Sequence, residues 1–434
     1  MRILITGQTT LHWGRMEFGN IGNYYIIEPF IRLLHETLPT AELFTTLQMS
    51  NRFCRDEKIH VLPMDLYYGW DNDLKKAEKE LSIAKEFSKT GNFKETTPYI
   101  EEVRKADLVI DFSGDIWGDN ADFLGKDRFY VGLCKDRVAQ LIAPKTVMLA
   151  GSPGPFDNKE NLEFAKEVYS NFDLVTNREF ISIELLKNYG FDTSKTHSLA
   201  CPAFRFEPAD ISKIKKLPQV SDIIKSDRPQ IGFVICGWNF TEGPFDKWPR
   251  PDSDYDVFAD AIEKFSAKVD ADIYLMSHSN GFPIPPEKFE LKHGRDYPII
   301  KQLQRILLER GKAKNIYALD GIYDAWQTKA IIGQFDMFVS GRVHGAVAAL
   351  SQAVPTIIID YGHEPKAHKL KGFADVANAL KYVAEPDKTN EISEKMMLCW
   401  KDRKNYHFKL KNHIPIVKEL AKKNFSILKT LFDN

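Results

Sequence analysis

The chain has 434 residues, 43% of them hydrophobic, with 59 Lys and Arg against 60 Asp and Glu for a net charge of −1. That length suits two domains, and the balanced charge argues against a protein steered to nucleic acid by a basic surface. No stretch approaches the roughly 18 uninterrupted apolar residues of a membrane span. The first strand-like run, Ile3–Thr6, follows the N-terminus directly, with no cationic lead or cleavable apolar segment, so a cytoplasmic protein is expected. It is followed by the loop Phe18-Gly-Asn-Ile-Gly-Asn23, in which Gly19 and Gly22 permit close backbone approach and Asn20 and Asn23 offer side-chain amides. The charged stretch Asp73–Arg104 reads as exposed helices. Leu108–Phe112 is a strand ending in a glycine turn at Gly114, with Asp115 just beyond it. Thr146–Ala150 and Leu174–Thr176 are the remaining strand-like runs of the first half, and Arg178 stands at the end of the latter.

Apolar periodicity fades over Phe206–Gln230 into Pro208, Pro218 and Pro229, which marks a seam. Beyond it Ile231–Cys236, Ile273–Met276, Phe335–Val339 and Thr356–Ile359 read as strands, with His278 just past the second. Alternating strands and helices imply an α/β protein with parallel sheets and helices on both faces. The loops Asn239–Asp256 and Asn280–Pro298 are long and rich in Pro and aromatics, a frequent mark of functional segments. The tail from Ile392 to Leu431 reads as helical and basic, interrupted by Pro415. It is expected to pack across the domains, with weak attraction to an anionic membrane surface as its sharper reading. The five cysteines (Cys54, Cys134, Cys201, Cys236, Cys399) are scattered without a CxxC pair and read as reduced thiols, and no metal constellation stands out.

The most informative segment is Phe338-Val-Ser-Gly-Arg-Val-His344, running into Gly345-Ala-Val-Ala-Ala-Leu350 and then Val354-Pro-Thr-Ile-Ile-Ile-Asp-Tyr361. It reads as strand, turn, helix and strand, a parallel unit whose carboxyl-end crevice suits a ligand. Free N–H groups at the helix N-terminus favour an anion, Arg342 adds a fork for phosphate or carboxylate, and His344 titrates near neutral pH.

Together these motifs resemble the polysaccharide pyruvyl transferases, which are ketal pyruvyltransferases. The Ser-Gly-Arg-Val-His run with Tyr361 and Lys366 looks like the family's C-terminal signature. The loop Phe18–Asn23, the strand Asp107–Gly114, the arginine-bearing Val175–Glu179 and Ala200–Phe204 follow the family's order over roughly residues 1 to 370. Two departures fall on the acceptor side. Gly114-Asp115-Ile-Trp-Gly118 stands where many relatives carry a run of glycines, and Gln8–Trp13 lengthens the early loop.

The resemblance implies two Rossmann-like domains facing across a cleft, the GT-B-type arrangement. The domains are expected at 1–210 and 228–385, with a helical segment at 386–434 packing across them. It also implies phosphoenolpyruvate as donor substrate, no cofactor or metal, and a glycan or lipid-linked saccharide acceptor for a cell-surface polysaccharide. His344 and Asp115 are the expected catalytic acid and acceptor-side base. Arg178, Arg342, His278 and Lys366 are the expected donor-binding residues, and Gly19, Asn20, Gly22 and Asn23 the loop near the ligand. The expected location is cytoplasmic, at most peripheral to the inner face of the membrane. Two other readings fit the same architecture: a glycosyltransferase using a nucleotide sugar, and a non-catalytic protein binding an anionic metabolite or glycan.

Overall fold

The computed structural model describes residues 1–8, 15–114, 116–243, 248–284, 286–363, 368–388 and 390–432. The chain divides into two compact units. One comprises Met1–Met16, Glu28–Pro202 and Leu420–Asn434; the other comprises Glu17–Ile27 and Ala203–Glu419.

The first unit is built on a parallel seven-stranded sheet. Its strands are β1 (Arg2–Thr6), β2 (Glu42–Thr45), β3 (Ile59–Val61), β4 (Leu108–Asp111), β5 (Thr146–Gly151), β6 (Leu174–Asn177) and β7 (Thr196–Ser198). They lie in the order β3-β2-β1-β4-β5-β6-β7. Every residue of β4, β5 and β6 is buried. Strands covered by helices on both faces read as continuous apolar runs, which is why these three are recognisable in the sequence. On one side the helix Asp73–Thr90 sets Ala77, Leu81 and Ala84 into the same core cluster as Val131, Cys134 and Val138 of the helix Arg128–Ile142. Trp117, Phe129, Phe156 and Tyr169 form a second core cluster.

That second cluster conceals a carboxylate. Asp136, 4% exposed, accepts the Trp117 Nε1–H at 3.0 Å. Burial, then repulsion from Asp111, pushes its carboxyl well up. Burial pushes Asp111 up to about 7, against two hydrogen bonds from Ser113. Both folded values lie above the ordinary ~3.9 of the unfolded chain, so the folded state holds more protons between them and stability falls as pH rises from about 4 to about 7. Asp136→Asn retains an acceptor for Trp117 and cannot ionise. The variant is expected to melt higher than wild type at about pH 8 and to lose Asp136's share of the slope below it, while Asp111 keeps its own. A melting profile as steep as wild type would show that Asp136 carries no part of that proton uptake.

The second unit repeats the pattern. Its strands are β8 (Gln230–Val234), β9 (Asp272–Leu275), β10 (Asn280–Gly281), β11 (Lys292–His293), β12 (Ile316–Ala318), β13 (Met337–Ser340), β14 (Thr356–Ile359) and β15 (Val383–Ala384). Six of them form a sheet in the order β12-β9-β8-β13-β14-β15, while β10 and β11 pair as an antiparallel ribbon. The pairings within the six-stranded sheet are parallel. Taken by position, the second sheet runs 3-2-1-4-5-6, the doubly wound Rossmann order, and the first runs the same order with a seventh strand added after the sixth. The ligand crevice of that order lies where the winding reverses, beyond the carboxyl ends of the two central strands. In the second unit those strands are β8 and β13.

The C-terminal helix runs unbroken over Glu391–Ser426, through Pro415, where the sequence suggested an interruption. Proline there removes an N–H and frees the carbonyl four residues back. Lys411 and Pro415 are both exposed, so the freed carbonyl lies on the solvent side and the helix continues.

Candidate active site

At the end of β13 the chain turns through Gly341 into the helix Val343–Leu350, with Arg342 as its N-cap residue. Asn239 explains the glycine. Its side chain is fully buried and touches the place where a Cβ on residue 341 would stand. Asn239 Oδ1 accepts the Cys236 N–H at 2.9 Å, and Nδ2 donates to the carbonyls of Gly341 at 3.1 Å, Ile359 at 3.2 Å and Asp360 at 3.2 Å. One amide thus ties together the chain leaving β8, β13 and β14. Burial pushes the neighbouring Cys236 thiol up to about 11, so it stays protonated.

Arg342 spends much of its fork inside the protein. Its Nε donates to Asp296 Oδ2 at 2.7 Å and its Nη2 to Oδ1 at 2.5 Å. Asp296 is fully buried at the first turn of the helix Asp296–Arg310 and also accepts the His278 N–H at 3.0 Å. Burial works against the Arg342 charge, but Asp296 more than offsets it, and the guanidinium stays charged. The guanidinium nitrogen that Asp296 leaves over is Nη1.

His344 is the second residue of the Val343–Leu350 helix and is partly exposed, with its ring 5.7 Å from that of Phe373. The Gly/Asn loop reaches it directly: a Cβ on Gly22 would lie 2.5 Å from the His344 Cβ. No larger residue fits at position 22. Asn20 Oδ1 accepts the Gly22 N–H at 3.1 Å where the helix Ile21–Thr37 begins, and Asn20 bridges to Ser279. The Asn23 N–H returns to the Asn20 carbonyl at 2.9 Å. Gly19 closes the preceding turn, and beside it Phe18 packs on Phe282 and Phe289 of the long loop. Residues 17–27 therefore belong to the second unit, although they follow the first strand of the first.

His278 lies behind this front. It is fully buried, and neither ring nitrogen has a hydrogen-bond partner among the described residues. Burial, then the Arg342 charge, lowers it to about 3. It is therefore a neutral imidazole, in edge-to-face contact with Tyr25 at 5.4 Å. Arg178 belongs to the first unit, 1% exposed at the end of β6, where Nε donates to Ser152 Oγ at 3.0 Å. Its neighbour Glu179 caps the next helix, accepting the N–H groups of Ile181 at 2.6 Å and Ser182 at 3.1 Å. Asp115 and Lys366 lie outside the described residues.

The second unit thus brings Arg342, His344, Gly19, Asn20, Gly22, Asn23 and His278 together beyond the carboxyl ends of its sheet's strands. Two residues of this site, Asp296 and Asn239, were not anticipated as site residues. Asp296 ends in a buried ion pair and Asn239 in a four-way bridge.

Among solved structures the chain is similar to the UDP-GlcNAc 2-epimerase of Neisseria meningitidis bound to UDP-GlcNAc, at 12% identity with a TM-score of 0.56 over 100% of both chains. It is similar to Anabaena Alr3699/HepE in complex with UDP, at 14% identity and a TM-score of 0.58 over 100% of both chains. The UDP-GlcNAc 2-epimerase of Methanocaldococcus jannaschii gives 14% identity and a TM-score of 0.55, again over 100% of both chains. At such identities these likenesses establish the fold, a GT-B-type α/β architecture with two parallel sheets. No curated protein matches the sequence. The model of the family "Polysaccharide pyruvyl transferase" matches residues 20–363, a span that begins at Asn20 and includes Arg342 and His344. The chain belongs to the polysaccharide pyruvyl transferase family and is a transferase.

Proposed function

We propose that the protein transfers the pyruvyl group of phosphoenolpyruvate onto two hydroxyls of one sugar in a polysaccharide or its precursor, forming a pyruvate ketal and releasing phosphate. The observation that carries this reading is the convergence of Arg342, His344 and the Gly19–Asn23 loop where the second sheet reverses its winding. Phosphoenolpyruvate carries a phosphate and a carboxylate on three carbons. The N-terminus of the Val343–Leu350 helix and Nη1 of Arg342 offer N–H donors of the kind such oxyanions take.

The chemistry needs a proton at the methylene carbon, which becomes the methyl group and leaves a cationic centre at C2. One sugar hydroxyl adds there and loses its proton. Phosphate departs with the electrons of its C–O bond, and the second hydroxyl adds and is deprotonated in turn. His344 is the proposed acid for the first step. His278, held neutral and buried, shapes the floor of the site in this scheme and supplies no proton.

A thermal-shift comparison tests the reading. Phosphoenolpyruvate is expected to raise the melting temperature, by the equivalent of about 2.7 kcal/mol at a hundredfold excess over its Kd, while UDP-sugars leave it unchanged. Stabilisation by a UDP-sugar alone would favour a nucleotide-sugar enzyme instead; solved structures of similar fold are bound to UDP-GlcNAc and to UDP.

A further inference from the structure

Between positions 403 and 418 the C-terminal helix carries Arg403, Lys404, Lys409, Lys411 and Lys418 and not one Asp or Glu, in a chain whose net charge is −1. Lys404, Lys409 and Lys411 are exposed, and none of them pairs with a carboxylate among the described residues. Two large apolar side chains stand out beside them. Phe408 is 65% exposed and Ile416, two turns on, 58%. Both line a groove of about 600 Å³ together with Ala377, Tyr382, Lys381 and Lys409. An exposed apolar patch rimmed by cations marks an interaction surface.

We propose that this face docks on an anionic lipid bilayer, with Phe408 and Ile416 entering the acyl boundary and the lysines meeting headgroup phosphates. The charge decides between occupants. A second copy of the chain would place the same unpaired cations opposite one another. Protein interfaces also deplete lysine from their cores, whereas here lysines line the groove itself. An anionic bilayer satisfies the apolar and the cationic parts together, and the protein lies on it without spanning it. No described helix is long and apolar enough to cross a membrane.

Co-sedimentation with vesicles tests this without donor or acceptor, so its outcome is independent of the phosphoenolpyruvate reading. The full chain is expected to pellet with phosphatidylcholine vesicles containing phosphatidylglycerol, not with phosphatidylcholine alone, and to be released by salt. The F408S/I416S variant should stay in the supernatant. K404E/K409E/K411E should bind over a hundredfold more weakly, from about fivefold for each lysine removed. Because these side chains are solvent-exposed, melting temperatures should match wild type. Failure to pellet with anionic vesicles, equal pelleting with neutral ones, or variants that bind like wild type would overturn the proposal. So would a dimer in sedimentation velocity that F408S/I416S dissolves, since it would place a second copy on this face.

Discussion

Asp296→Ala is expected to cost the folded protein about 3–5 kcal/mol, read as a shift in the denaturant midpoint of the second unit. The carboxylate is fully buried and faces a guanidinium whose side chain is 13% exposed, so water cannot take its place. Removing one partner of a buried ion pair leaves the other charged and uncompensated, and that penalty exceeds the net worth of the pair. The alanine variant also strands the buried His278 N–H. Asp296→Asn keeps an acceptor for one of these donors and should lose less. The double variant D296A/R342M removes both charges and should recover the part of the loss that comes from the uncompensated guanidinium, while the His278 N–H stays unpaired. A D296A midpoint within about 1 kcal/mol of wild type would mean that Arg342 finds another partner on losing Asp296.

The ion pair also marks the limit of what the sequence displays. The central strands β1, β4, β5, β6, β8, β9, β13 and β14 are visible as short apolar runs because their residues are buried on both sides of a parallel sheet. The outer strands β2, β3, β7, β12 and β15 are not. They are two to four residues long, and some of their side chains reach solvent, as Tyr317 does at 41% exposure. Such segments carry neither a buried run nor a clear alternation.

The same contrast holds at the site. Arg342 and His344 stand out because a strand-to-helix turn, a glycine and two cationic residues lie within one short motif. Asp296 lies 46 residues from the arginine it holds, and Asn239 lies 102 residues from Gly341. Neither has a local signal, since an Asp at a helix start or an Asn after a strand is ordinary capping chemistry. The place of residues 17–27 in the second unit is equally silent in the sequence, because it depends on Gly22 meeting His344 across more than three hundred residues of chain. His278 is visible as a strand-end histidine, but its burial and neutrality depend on Tyr25 and Arg342, which reach it only through tertiary packing.

His344→Gln separates the proposed acid from a mere anchor. Of the two basic side chains in Arg-Val-His, Arg342 is committed to Asp296 and never gives up its proton, which leaves His344 as the motif's proposed acid. Its ring is partly exposed and is held from one side by Gly22 and from another by Phe373. Glutamine retains a hydrogen-bond donor on a side chain of similar reach but cannot act as an acid. Turnover is therefore expected to fall by ~10²–10⁴-fold, the usual contribution of general acid catalysis, while the phosphoenolpyruvate thermal shift changes only modestly. In the proposed scheme the wild-type proton comes from an exchangeable group, so reaction in deuterated solvent should place deuterium in the product methyl. His278 cannot stand in at neutral pH, because a group lowered to about 3 carries no proton to give. If His344→Gln turns over at near the wild-type rate, His344 is a positioning residue, and the proton must come from outside the Arg-Val-His motif, with Asp115 the first residue to test by substitution.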